Sequence, residues 1–216
     1  MTLRRWLAIS GVVSPLLIAL AFTVVGGNNS PNEKADAARV VSYYHSHQTS
    51  GRVAALMVVI GGVLLVLFAA RLRELLGGDA QDGGILAAAS FGGAVIAGAG
   101  AAVLASVHFA LVQAGEYRFA EPAQTLNVLD NNDFFVLVAG FAVFFFATGL
   151  AIVRGRGLPR WLGWLAIVIG VVCLGGPAGF IGVVVGLVWI LGVAIFLLVR
   201  SESRPDEPVT PEPARA

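Results

Sequence analysis

The chain has 216 residues, of which 57% are hydrophobic and only 12% charged, with a formal net charge of +1. A soluble fold of this length has too little polar surface to cover so much apolar side chain, and so small a net charge, with no basic cluster, argues against a nucleic-acid partner. Cys173 is the single cysteine, which excludes an internal disulfide and any C-x-x-C metal or redox site. What fits is an all-α, polytopic membrane helical bundle with the lipid bilayer as its first partner.

A spanning helix needs about 20 apolar residues, and the charge-free gaps place six of them within residues 1–200. The first is residues 6–25. Ser14-Pro15 lies in its middle, where proline frees the carbonyl of Gly11 and marks a kink. Arg4-Arg5 followed by an apolar run and Ala19-Leu20-Ala21 also fits a signal peptide with an A-x-A site. Cleavage there would leave five spans, but the apolar run continues to Val25 and favours a retained span.

Residues 30–47, SPNEKADAARVVSYYHSH, form the first extracytoplasmic loop. Ser30 to Glu33 reads as a capping box with Pro31 at the first helical position. Asp36 and Arg39 are three apart, and Ala37, Val40, Val41 and Tyr44 fall on one stripe. The segment is predicted to be an amphipathic helix at the lipid boundary or over the bundle. Thr49 or Ser50 then caps the second span, 53–70.

Residues 83–115 are too long for one span and too short for two; the core is placed at 88–111, with tilt or overhang. In the next loop Glu121-Pro122 opens a short helix with Leu126 and Leu129 on one side, and Asp130, Asn131 and Asn132 are candidate caps for the fourth span, 134–153. Phe141, Phe144, Phe145 and Phe146 in that span face lipid or supply packing mass. The first two hairpins each end in R-x-R, at Arg71-Leu72-Arg73 and Arg154-Gly155-Arg156. Residues 161–199 hold no charge and divide at Gly175-Gly176-Pro177 into spans 161–174 and 178–199. Trp161 and Trp164 serve as interface anchors. The tail, 201–216, is rich in proline and acids and is predicted to be a disordered cytoplasmic segment.

Orientation follows from Lys/Arg asymmetry. With the N-terminus inside, Arg4, Arg5, Arg71, Arg73, Arg154, Arg156, Arg160, Arg200, Arg204 and Arg215 are inside, against Lys34, Arg39, Arg52 and Arg118 outside. Both termini are therefore expected on the cytoplasmic side. Lys34 is the only lysine, and with heavy Ala, Gly and Val use this points to a GC-rich bacterial source and a plasma-membrane location.

Gly11, Ser14 and Pro15 in the first span, the YYHSH segment, the RLRELL end of the second span and LPRWLGW before the fifth carry a resemblance. Together they resemble a family of uncharacterised multi-pass bacterial membrane proteins known only as a domain of unknown function. The likeness covers about residues 5–199, is topological, and implies no activity, cofactor or site residues.

Polar side chains inside lipid are costly and so are candidates for function. His108 is the one ionisable group well inside a predicted span, on a face with Ser90, Gly93, Ala97 and Ala101 that should point into the bundle. His45 and His47 share its side of the membrane; spaced i, i+2, they sit on one face only if the helix ends before them. Asp133 either complements the dipole of the fourth span or pairs with His108 or Arg118. His45, His47, His108, Glu116 and Asp133 would suit Zn²⁺ if they converged. Gly182 and Gly186, with Gly179, form a helix-packing face within the bundle or between protomers.

There is no H-E-x-x-H, G-x-S-x-G, P-loop or dinucleotide-binding signature. The leading expectation is a non-enzymatic structural, scaffolding or sensing subunit without a cofactor, partnered by itself or another membrane protein. The alternatives are a small-solute or proton transporter, resting on Pro15 and His108, and a redox or metal enzyme with an outer histidine site.

Overall fold

The computed structural model describes residues 3–25, 30–77, 81–155, 158–176 and 179–202. The chain order is α1 (Leu3–Leu20), a π-helical turn (Ala21–Val25), α2 (Ala37–Ser46), α3 (Gln48–Leu76), α4 (Gln81–Glu116), α5 (Ala120–Asp130), α6 (Phe135–Arg154), α7 (Arg160–Cys173) and α8 (Gly179–Glu202). Among the described residues there is no strand.

Among the described residues five apolar helical segments are long enough to cross a bilayer: Leu3–Thr23, Gln48–Leu76, Gly84–Glu116, Ala120–Arg154 and Gly179–Arg200; in the fourth the strongly apolar part is α6, and α5 with the turn after it precedes the span. The fifth predicted span, α7, is apolar but has only 14 residues, about 21 Å at 1.5 Å per residue against a hydrocarbon core of about 30 Å. The outer surface is studded with large apolar side chains, including Val63, Val168, Ile181 and Val188, each more than half exposed. Lipid is the solvent that makes such a surface stable.

The six apolar helices close into a ring: α1 packs on α3, α3 on α4, α4 on α6, α6 on α7, α7 on α8, and α8 back on α1. With no hydrophobic drive between helices in lipid, close packing has to hold them together. At the α4–α6 crossing a Cβ built on Gly140 would stand 2.2 Å from the Ala97 amide nitrogen, and one on Gly93 2.3 Å from that of Phe144. The two backbones touch there, and no side chain fits between them. Phe141, Phe144 and Phe145 fill the middle of the ring, whereas Phe146 is exposed. The Gly179, Gly182 and Gly186 face packs inside the same bundle, the first two against Cys173 of α7 and the third against the Phe145 ring. Cys173 is a buried packing residue.

Polar groups within the ring are paired. The Ser14 hydroxyl donates to the Gly61 carbonyl at 2.8 Å, joining α1 to α3 beside Pro15. The Ser90 and Thr148 hydroxyls share a hydrogen bond of 2.6 Å between α4 and α6. At one end of the ring Glu74 bonds both Arg4 (2.7 Å) and Arg71 (2.6 Å).

The other end carries a cap. α4 is about 54 Å long at 1.5 Å per residue, so it overhangs any bilayer, as its length in sequence predicts. α2 and α5 pack on the overhang and on each other. Val40, Tyr44, Leu111, Val112, Ala114 and Ala123 make a small core there, separate from that of the ring. The α4–α5 turn places Arg118 at φ 58°, a conformation uncommon outside glycine.

Several local expectations are revised. Residues 30–36 are not helical; the helix starts at Ala37, and Asp36 caps it by accepting from the Arg39 amide at 2.8 Å. Asn32 displaces the predicted capping box, because its side chain accepts from the Lys34 amide and its carbonyl from the Ala35 amide, which makes a turn. α3 starts at Gln48, and neither Thr49 nor Ser50 caps it. In α5 the buried face is Ala123 and Asn127, and Leu129 is exposed. Gly176, at φ 62°, supplies the left-handed residue that ends the α7 segment. Arg156, Pro177 and residues 203–216 lie outside the described residues, so the second R-x-R motif and the predicted tail do too.

Candidate functional site

The cap does not close tightly on the ring. Between them lies a cavity of about 510 Å³, within the size range of small-molecule sites (roughly 300–1,000 Å³). Its floor is apolar: Ala54, Ala55 and Val58 from α3, Leu104 and Ala105 from α4, and Leu137 from α6. Its upper wall is polar, made by Tyr43, Tyr44, His47, Ser50, His108 and Asp130.

His108 and Asp130 form the centre of that wall. His108 Nδ1 lies 3.1 and 3.2 Å from the two carboxylate oxygens of Asp130, and both side chains are less than a fifth exposed. An ionised carboxylate only accepts, so Nδ1 carries the shared proton and Nε2 is left as the ring's other polar atom. Nε2 points toward Gly51 on α3, 3.5 Å from where a Cβ would be. The Tyr44 ring meets the imidazole edge to face, centroids 5.8 Å apart. Burial raises the Tyr44 phenol well above its ordinary range, reinforced by the charge of Asp130, so it remains a neutral donor. Burial raises Tyr43 as well.

Asp133, in the turn before α6 and outside the spanning segment, does not pair with His108 or Arg118. Neither of its buried oxygens makes a well-formed hydrogen bond. Burial first, then the charge of Asp130, pushes its carboxyl up to about 6, while its own amide and His108 pull the other way. Asp130 thus holds the histidine, and the nearby Asp133 keeps its proton into the mildly acidic range.

His45 and His47 take other partners. α2 runs to Ser46, so the pair straddles the helix end. His45 Nε2 accepts from the Arg118 guanidinium at 3.3 Å. His47 Nδ1 donates to the Tyr43 carbonyl at 2.8 Å, and its ring stacks on Tyr43. Glu116 pairs with Arg52. The five proposed zinc ligands are thereby divided among separate contacts, and among the described residues no group of three or more His, Cys, Asp or Glu side chains converges as a metal site. The Ser50 hydroxyl donates to the His47 carbonyl at 3.0 Å, so it is not aligned as a nucleophile for His108.

Asp130 is the site residue that sequence reasoning missed. It reads as one of several helix caps in DNND, and only the packing of α5 against α4 selects it over Asp133 as the partner of His108. Asn127 is the other: wholly buried, it donates to the Asn32 carbonyl at 2.8 Å and ties α5 to the segment before α2. Comparison with protein-family models, curated proteins and solved structures finds no match.

Proposed function

We propose that the chain is a six-span protein of a bacterial plasma membrane, both termini cytoplasmic, that acts without catalysis as a sensing subunit. Its extracytoplasmic cavity binds a small ligand beneath the α2–α5 cap. The observation that carries this reading is the 510 Å³ cavity with an apolar floor and the His108–Asp130 pair in its wall. The middle of the ring is filled by phenylalanines and by paired hydroxyls, which favours a binding site closed below over a transport path. Family membership is proposed on the motifs quoted above, and partnership with another membrane protein on the sensing role.

Six crossings are supported by the course of α7. It starts beside Gly149, near the Arg154 end of α6, and finishes beside Gly179 and Gly182, at the level of Val138. Wedged between α6 and α8, it need not match the full bilayer thickness by itself. Arg4, Arg71, Arg154 and Arg160 stand at the ring end opposite the cap, which favours that end as cytoplasmic. In a Cys173→Ser background, Ala38→Cys should react with a membrane-impermeant maleimide in intact cells and Gly77→Cys should not; the reverse pattern would refute the orientation.

The ligand reading is tested by native mass spectrometry of protein released from its own membranes. The wild type should carry a small-molecule adduct that Ala105→Trp, which fills the cavity floor, lacks. Bare wild-type protein would reject the ligand and leave a scaffolding role, to be sought by crosslinking.

A further inference from the structure

A second cavity, of about 380 Å³, lies beside the first. It is an apolar groove between α1 and α8, lined by Pro15, Ile18 and Ala19 on one side and by Val184, Leu187 and Leu191 on the other. Leu16, Val184 and Val188 are exposed along it, so it opens sideways to the surroundings of the ring. Phe22, Phe180 and Val183 line both cavities. The Phe22 and Phe180 rings meet edge to face, centroids 6.0 Å apart, where one cavity gives way to the other. Phe22 belongs to the π-helical turn, a local distortion that often accompanies functional sites.

The polar end has a definite character. Among the described residues no Lys or Arg lines the upper cavity, and Asp130 is its only acid. An anionic headgroup would meet a carboxylate with no cation to offset it. A headgroup that donates hydrogen bonds finds Asp130 and the hydroxyl oxygens of Tyr43 and Tyr44 as acceptors.

We propose that the two cavities form one lateral site for a single-chain membrane amphiphile whose headgroup is a hydroxyl or a primary amine. The head rests against Asp130 and Tyr44, and the tail reaches the groove between α1 and α8 by parting the touching rings of Phe22 and Phe180. The ligand enters from the bilayer, which explains an apolar floor and a groove whose one polar side chain, Thr23, is turned to the Ala19 carbonyl. This assignment rests on the ligand-binding reading above and gives it a chemical class.

The test uses the full chain in mild detergent with dodecylamine carrying a photoreactive diazirine at its tail end. Crosslinks should map to residues 16–23 and 183–191, and should saturate and be displaced by unlabelled dodecylamine or dodecanol. The same probe built on dodecyl phosphate should label about tenfold less, the loss of roughly one charged contact. Ala19→Phe, at an exposed position that lines only the groove, should abolish the crosslinks yet leave intact the rise in melting temperature caused by short hexylamine. A hexylamine shift without saturable groove labelling would overturn the lateral site and spare the ligand-binding reading. No shift and no labelling would reject both, and equal labelling by the phosphate probe would overturn the headgroup assignment.

Discussion

The ring and the cap solve the same packing problem in different solvents. In the ring, α4 and α6 meet backbone to backbone through Gly93 and Gly140, and polar contacts are few and paired. In the cap, side-chain hydrogen bonds join Asn127 to Asn32, Asn131 to Pro31 and Arg118 to His45, and beneath it an ion pair of Arg52 and Glu116 joins α3 to α4. Lipid rewards close approach and tolerates little polarity, whereas water at the cap makes a hydrogen-bonded fit workable around a core of only a few side chains. The cavity falls on the boundary, where neither mode of packing fills the space.

The sharpest way to break that contrast is to disturb the ring. Gly140→Leu should cost more than the roughly 1–3 kcal/mol of ordinary overpacking, because the obstacle is the Ala97 backbone and only separation of α4 from α6 relieves it. Little monodisperse protein should survive purification; a normal yield with an unchanged melting temperature would contradict the close approach. Asn127→Ala should cost about 0.5–1.5 kcal/mol, the loss of one hydrogen bond, because the Asn32 carbonyl keeps the Ala35 amide as a donor. The loss should be local: hydrogen exchange should quicken across residues 30–46 and 120–130 while α6 and α8 stay protected. Uniform acceleration would mean that cap and ring are one cooperative unit.

Smaller changes sharpen the contrast. The Asp133 carboxyl is raised in the folded state, from an ordinary 3.8 to about 6. The folded chain therefore holds the proton more tightly, and ionisation works against folding. That cost is absent below about pH 4, grows as pH rises toward 6 and is complete above it. Wild-type melting temperature should fall across this window. Asp133→Asn should show no such fall and should be the more stable protein only at its upper end and beyond; parallel profiles would place Asp133 in water. The smallest effect is expected inside the ring. Ser90→Ala, which removes the hydrogen bond to Thr148, should cost only about 0.6 kcal/mol, the usual scale for such bonds in membrane helices. A much larger loss would show that polar pairing, and not close approach, holds α4 to α6.

Much of the ring was legible because charge marks where lipid ends. Spans 6–25, 53–70, 134–153 and 178–199 fall on α1 with its π turn, α3, α6 and α8, and the overhang of α4 was visible as an apolar run too long for a bilayer. The inward direction of Ser90, Gly93, Ala97 and Ala101 was readable from helical periodicity. The cap was less so. Ser30 and Glu33 have the spacing of a capping box, yet Asn32 and the distant Asn127 draw that backbone into a turn. The histidines suggested a metal, but His45 and His108 bond Arg118 and Asp130, which sequence distance conceals, and His47 bonds the Tyr43 carbonyl one turn back.

Composition and charge spacing by themselves determined that this is an all-helical chain suited to lipid, roughly where its apolar stretches lie, and which residues are too polar to be idle. Those features follow from local physics: the length of a helix, the cost of a charge in hydrocarbon and the geometry of proline and glycine. The tertiary structure alone decided the closed order of the ring, the inward turn of the Gly182–Gly186 face and the choice of Asp130 over Asp133 for His108. Each depends on the approach of segments far apart in the chain, and short-range periodicity carries no record of which faces meet.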